Sequence, residues 1–252
     1  MASHQRDLGE EAARRVPRAP DRTRPGSERP TALSSGAQPH LEYIVAPPGS
    51  RHATFYACFA KRLVDLVIAS IGLVVLSPAL LTAAIAVRLT MGSPVLFRQV
   101  RLGKDGEPFE VLKFRTMLPD RRSGPGRFDG DDRRLTHKTA SHPLLTAVGK
   151  FLRKWSIDEM PQILNVLRGD MSIVGPRPEL ASVVAHYEPW QYARMIVRPG
   201  LTGLWQINAR GQGLMHERTD LDVDYLDEIG LVTDLKIILA TPKAILGDHK
   251  GF

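Results

Sequence analysis

The sequence is poor in the residues that build covalent or metal-held scaffolds. Cys58 is the only cysteine among 252 residues, so an internal disulfide and a cysteine-based metal site are both excluded. A cytosolic setting is thereby allowed, though not demanded. The eight histidines show no paired metal-ligand spacing. There is no internal repeat, no nucleic-acid-binding motif, and no second apolar run as long as the one described below, so a polytopic membrane protein is not expected. The N-terminal 51 residues lack a strong charge bias, with eight basic and six acidic side chains, too balanced for a polybasic anchor. They also lack an apolar core after the first charges, which argues against a signal peptide. From Arg14 to Pro39 they are crowded with Pro, Arg, Ser, Gly and Ala, a composition that predicts a flexible extension over residues 1–55.

What is present is ordinary for a folded protein: 43% apolar and 24% charged residues, with a net charge of +7 at pH 7. That composition argues against global disorder. The charge fits an anionic membrane surface, a phosphorylated substrate or a nucleic acid, and does not choose among them.

Leu66–Val87 is a run of 22 uncharged residues. As a straight helix it would extend about 33 Å, enough to cross a hydrocarbon core. Ser77-Pro78 sits near its middle, where proline removes a donor and favours a kink. Lys61 and Arg62 precede the run, and Arg88 and Arg98 follow it. A spanning helix keeps its cations on one side, so cations at both ends favour a re-entrant hairpin over residues 56–90. A kinked spanning helix and a buried soluble helix remain as alternatives. Residues 91–252 read as a cytosolic domain. Val95–Val100 and Pro108–Phe114 predict strands around a Lys104-Asp105-Gly106 turn. Residues 119–143 predict a long loop of the functional or mobile kind. Leu144–Trp155, Met160–Leu167 and the stretch from about Asp222 to Leu246 carry helical periodicity, the last with a possible break near Pro242.

Chemistry concentrates in Gly149–Leu180. Ser156-Ile157-Asp158-Glu159 fits a capping box, although Pro161 favours Asp158 itself as the cap. The same carboxylates, at the positive end of a helix dipole, suit a nucleophile or a metal ligand. Arg153, Lys154 and Arg168 are close in sequence. In Gly175-Pro176-Arg177-Pro178, prolines hold a guanidinium at a fixed angle, a geometry for bidentate grip of phosphate or for a plain surface turn. Lys113 and Arg115, with Arg98, Gln99 and Arg101, form a second polar set that is either solvated surface or a phosphate contact. A hard cation among carboxylates and phosphates would fit magnesium. Trp205, after Pro199-Gly200-Leu201-Thr202-Gly203, suits either the membrane interface or core packing.

Four ordered motifs carry a resemblance: KRLVDLVIASIGLVVLSP, GSPVLFRQVRLGKDGEPFEVLKFRTM, LRKWSIDEMPQILNVLRGDMSIVGPRPEL and RPGLTGLWQINARG. Over roughly residues 60–247 the chain resembles the bacterial sugar transferases, the monotopic phosphoglycosyl transferases or polyprenyl-phosphate sugar-phosphate transferases. The resemblance implies an α+β, monotopic membrane-associated fold. It would have a re-entrant helix broken at Ser77-Pro78, then a small, mainly helical cytosolic domain with a short β-hairpin and interfacial helices. It implies that Asp158 attacks the β-phosphate of a UDP-sugar, expels UMP and holds the phosphosugar until a polyprenyl phosphate takes it. It also implies catalysis by Asp158 and Glu159 with Mg2+ bound there, phosphate contact by Arg177, and Arg153 as a partner of the dyad. The setting would be the cytosolic face of the bacterial inner membrane. His142-Pro143-Leu144-Leu145-Thr146-Ala147 stands where relatives often carry Asp-Pro-Arg-x-Thr-Arg. The multi-helix N-terminal domain of larger relatives is not matched, so a minimal form is expected. The competing expectations are a membrane-anchored basic protein binding nucleic acid or another polyanion, and an inactive assembly scaffold.

Overall fold

The computed structural model describes residues 43–47, 49–118, 144–208 and 218–246. The expected tail up to residue 42 and the expected 119–143 loop therefore lie outside the described residues. A π-turn at Tyr56–Ala60 leads into α1, Lys61–Met91. The chain then forms β1 (Leu96–Leu102) and β2 (Pro108–Phe114), joined through a 3-10 turn at Lys104–Gly106. These strands are an antiparallel hairpin with Leu96 opposite Phe114 and Val100 opposite Glu110. Next come α2 (Ala147–Lys154), a 3-10 turn at Ile157–Gln162, and α3 (Ile163–Arg168). A second, parallel pair follows, β3 (Ser172–Val174) with β4 (Gly200–Thr202). Between those strands lie α4 (Ala181–Val184) and a 3-10 segment, Pro189–Ile196. The remaining helices among the described residues are α5 (Leu204–Asn208), α6 (Asp220–Glu228) and α7 (Leu231–Leu246). The mixed α+β class and the β-hairpin agree with expectation.

Helix α1 runs without interruption through Pro78, so the expected break in the helix at Ser77-Pro78 is not a gap in its helical structure. The local chemistry explains why. Pro78 has no N–H for the Val74 carbonyl, one turn earlier, and the Ser77 hydroxyl donates to that carbonyl instead at 2.8 Å. The Thr82 hydroxyl donates to the Pro78 carbonyl at 2.8 Å. Val74, Val75 and Leu81, on either side of the proline, are all exposed, and the helix is long and apolar enough to cross a membrane.

Both ends of α1 are anchored in the same folded unit. At the N-terminal end, Lys61 Nζ lies 2.5 Å from Asp234 Oδ2 on α7. Asp65 Oδ1 accepts from Ser172 Oγ at 3.0 Å and from the Ile173 amide at 2.9 Å. Ala69 enters a core with Ile163, Val166, Met171, Ile173, Tyr225 and Ile237. At the C-terminal end, Ala83, Val87 and Met91 pack with Phe114 and Leu152. Arg115 caps this end, donating to the carbonyls of Met91, Gly92 (2.8 Å) and Ser93 (3.2 Å).

Two other boundaries differ from expectation. The C-terminal helical stretch divides at Ile229-Gly230, and Pro242 lies inside α7; Ile229 has extended ψ (118°), which ends α6. The segment from Met160 begins as a 3-10 turn at Ile157 and becomes α-helical at Ile163. Close backbone packing fixes the loop that follows β3. A Cβ on Gly200 would lie 2.1 Å from the Gly175 nitrogen, and one on Gly175 would lie 2.6 Å from the Arg198 carbonyl oxygen. Only glycine fits at either contact.

Candidate active site

Three elements distant in sequence bring their polar side chains together: β2, the 3-10 turn at Ile157–Gln162, and the Pro176–Pro178 run. Asn165, fully buried on α3, holds the first two in place. Its side chain accepts from the Leu112 amide at 3.1 Å, and donates to the Glu110 carbonyl at 2.7 Å and to Asp170 at 3.0 Å. This fixes the dyad's turn against the strand that carries Lys113.

Glu159 is locked. Its Oε1 accepts from Lys113 Nζ at 2.8 Å and from Arg177 Nη2 at 2.5 Å, while Oε2 accepts from Arg177 Nη1 at 3.1 Å. Burial pushes the Glu159 carboxyl up, but Arg177 and Lys113 outweigh it and hold the group well below its usual range. Burial also draws Lys113 down from its ordinary value, against the pull of Glu159. The capping-box expectation fails here. Ser156 sits in the left-handed region at φ 55° and its side chain does not cap the turn. Asp158 is likewise not the N-cap but the second residue of the 3-10 turn.

Asp158 is in the opposite condition. Among the described residues no hydrogen bond to its carboxylate is formed, and the side chain is half-buried. Burial, then the neighbouring Glu159 charge, push its pKa up to about 6, while Lys113, Arg153 and Arg177 pull it down less strongly. Adjacent carboxylates thus differ in state, one fixed as a permanent anion and the other open and close to neutral pH. Burial and the Glu159 charge, rather than position on the turn, set how far the Asp158 pKa rises, and at about 6 the group is still mostly ionised at pH 7. Separation of this kind marks functional pairs, although structural ion networks also produce it.

Arg153 lies on α2 and donates through Nε to Thr116 Oγ1 at 3.0 Å, and its charge acts on Asp158. The structure thus brings together Asp158, Glu159, Arg177, Lys113 and Arg153. It places Arg115 elsewhere, at the C-terminal end of α1. Arg98 is also elsewhere, in an exposed pair with Glu110 at 3.2 Å. Trp205 is buried, with the Arg177 guanidinium 5.9 Å from its ring centroid, so its core-packing alternative holds. Sequence reasoning missed Glu179, Arg194 and Asp222, which surround the Pro-Arg-Pro run. Their contacts are tertiary, and no local spacing announces them.

A magnesium ion, as a test of the donor set, finds partial provision. Both Glu159 oxygens are engaged by cations, which leaves Asp158 as the open carboxylate. Among the described residues no group of three or more His, Cys, Asp or Glu side chains is gathered to hold a metal. One open carboxylate is a donor that Mg2+ could share with substrate phosphates and waters.

Comparison with known proteins gives consistent matches. The family model "Bacterial sugar transferase" matches residues 56–248. A UDP-glucose:undecaprenyl-phosphate glucose-1-phosphate transferase of Caulobacter vibrioides is 41% identical over 225 residues, covering 85% of this chain and 80% of that protein. An uncharacterized sugar transferase of Bacillus subtilis, EpsL, is 45% identical over 186 residues, covering 74% and 87%. A UDP-glucose:undecaprenyl-phosphate glucose-1-phosphate transferase of Escherichia coli is 42% identical over 194 residues, covering 72% of this chain and 39% of that protein.

Proposed function

Because the chain belongs to the bacterial sugar transferase family, we propose that it moves a sugar 1-phosphate from a UDP-sugar to undecaprenyl phosphate. The observation that carries this reading is the contrast between the open Asp158 carboxylate and the cation-locked Glu159 beside it. Two relatives are named for UDP-glucose and undecaprenyl phosphate, so UDP-glucose is the first donor to test. The product would enter exopolysaccharide assembly or a related glycan route.

In the proposed cycle an Asp158 oxygen attacks the β-phosphorus of the donor. The bond from that phosphorus to the oxygen bridging the α-phosphate breaks, and UMP leaves with the electron pair. The phosphosugar is then held on Asp158 as an acyl phosphate. A phosphate oxygen of the lipid attacks the same phosphorus, the bond to Asp158 breaks, and the carboxylate is restored. Splitting the displacement lets a soluble donor and a greasy acceptor use one pocket in turn. Arg177, anchored on Glu159 through one edge of its fork, presents its remaining N–H groups to the phosphoryl oxygens. Lys113 and Arg153 add positive charge beside the phosphorus. Mg2+, bound by Asp158 and the donor's phosphates, would offset charge on the leaving UMP.

The membrane reading is a hairpin in one leaflet with the catalytic unit on the cytosolic face. Support comes from α1, whose two ends both pack on the same folded unit, with the exposed apolar stretch around Pro78 between them. A spanning helix would carry one end to the far side, away from those contacts. The Ser77 hydroxyl bond to the Val74 carbonyl matters more in hydrocarbon, where water cannot satisfy that oxygen.

A panel of UDP-sugars, assayed for UMP with membrane-inserted protein and undecaprenyl phosphate, tests the function. Release of UMP dependent on the acceptor supports it; release of UDP would make the reaction a different class.

A further inference from the structure

We propose that Arg101 and Arg194 are positioning residues, each holding one of two consecutive carbonyls so that Arg177 is aimed at Glu159. The proposal rests on the transferase reading above. Arg194, on the 3-10 segment Pro189–Ile196, is only 3% exposed. Its Nη2 donates to the Arg177 carbonyl at 2.5 Å and pairs with Asp222 Oδ2 at 2.5 Å, while its Nη1 donates to the Tyr187 hydroxyl. Arg101, near the end of β1, donates through Nη1 to the Pro178 carbonyl at 2.8 Å and lies 3.5 Å from Glu179 Oε1. Its Nε and Nη2 donate to Gln99 Oε1 at 3.2 and 2.9 Å.

Each guanidinium therefore joins a backbone carbonyl of the run to a buried carboxylate, Asp222 (1% exposed) or Glu179 (2% exposed). Buried ion pairs of this kind contribute little net stability, because desolvation offsets their attraction. They do fix geometry. Prolines at 176 and 178 set their own φ and restrict the residues before them. The hold on the Arg177 carbonyl then fixes the rotation about the Arg177 Cα–C bond within the range that Pro178 leaves it. A fork that must meet Glu159 at 2.5 and 3.1 Å tolerates little rotation of its base. The clamp also gives a role to the buried Arg194 and the mostly buried Arg101, whose described hydrogen bonds go to neither Asp158 nor Glu159.

A double-mutant cycle on the full chain in lipid nanodiscs tests the clamp, reading UMP release from whichever UDP-sugar the panel selects. Arg194→Lys keeps the charge, but a single ammonium cannot reproduce the planar spacing by which Nη2 meets the Arg177 carbonyl and Asp222 while Nη1 meets the Tyr187 hydroxyl. It is expected to lower kcat about 10- to 100-fold and to leave donor KM nearly unchanged. In an Arg177→Lys background the same change should cost almost nothing further, because the aim of the fork is already lost. Losses that multiply in the double variant would overturn the clamp, since a purely structural role damages both backgrounds alike. If Arg194→Lys does not fold, the cycle is run with Arg101→Lys and the same outcomes decide. If neither variant folds, the two arginines are scaffold alone and the proposal falls. No UMP from the unaltered protein with any donor would instead overturn the underlying transferase reading and the clamp with it.

Discussion

Replacing Asp158 by asparagine should stabilise the fold while abolishing turnover. In the folded protein the Asp158 pKa is raised from 3.8 to about 6, chiefly by burial and then by Glu159. A carboxyl whose folded pKa is raised holds its favourable, protonated form below about pH 4 and loses that contribution as pH rises through 6. Two units correspond to about 3 kcal/mol. Because the side chain is half-buried and solvent screens it, about 1–2 kcal/mol is the reasonable expectation. Asparagine cannot ionise, so it escapes this cost. In chelator, the midpoint of thermal unfolding of Asp158→Asn should exceed that of the unaltered protein by about 2–8 °C at pH 7.5. The gap should shrink as pH falls from 6 to 4. A variant less stable than the parent at every pH would refute the reasoning, since that is the behaviour of a helix cap or a structural anion.

The same shift sets the acid limb of activity. UMP release measured as kcat/KM should fall as pH drops below about 6, with one proton taken up per active site, and Glu159 should not titrate in that range; a flat profile from pH 5 to 8 would contradict the assignment of Asp158. Arg177→Met leaves Glu159 with Lys113 as its one described cation and should destabilise by about 3–5 kcal/mol, seen as lost folded yield. Arg177→Lys should fold yet lose most of its turnover, because a point charge cannot replace a fork. Ser77→Ala removes the donor to the Val74 carbonyl and should destabilise by about 1–3 kcal/mol, measured by unfolding in nanodiscs. Pro78→Leu should favour a spanning helix, read by cysteine accessibility at the two ends of α1 in a Cys58→Ser background; opposite-side labelling in the parent topology would defeat the hairpin.

The hairpin strands were legible because apolar runs bounded by glycine have few other uses, and Pro108–Phe114 matches its element end to end. Asp158, Glu159 and Arg177 were legible as a motif, but their division of labour was not. The lock on Glu159 depends on Lys113, 46 residues away, and on Arg177, 18 residues away. The capping box misled because its pattern ignores backbone state, and Ser156 adopts φ 55°. Arg115 misled differently. A cation in a polar motif invites a phosphate reading, whereas the free carbonyls at the end of α1 claim this one. Arg194 and Asp222 were invisible because a buried arginine looks like a surface arginine until its carboxylate partner arrives from another helix.

Transfer of label from a UDP-sugar carrying 32P in its β-phosphate, to inserted protein without lipid acceptor, addresses the reaction itself. The account predicts up to one labelled phosphosugar per chain, located on the peptide containing Asp158, released by hydroxylamine and discharged by undecaprenyl phosphate. Protein that releases UMP with acceptor yet never becomes labelled, or that labels equally well as Asp158→Asn, would contradict it.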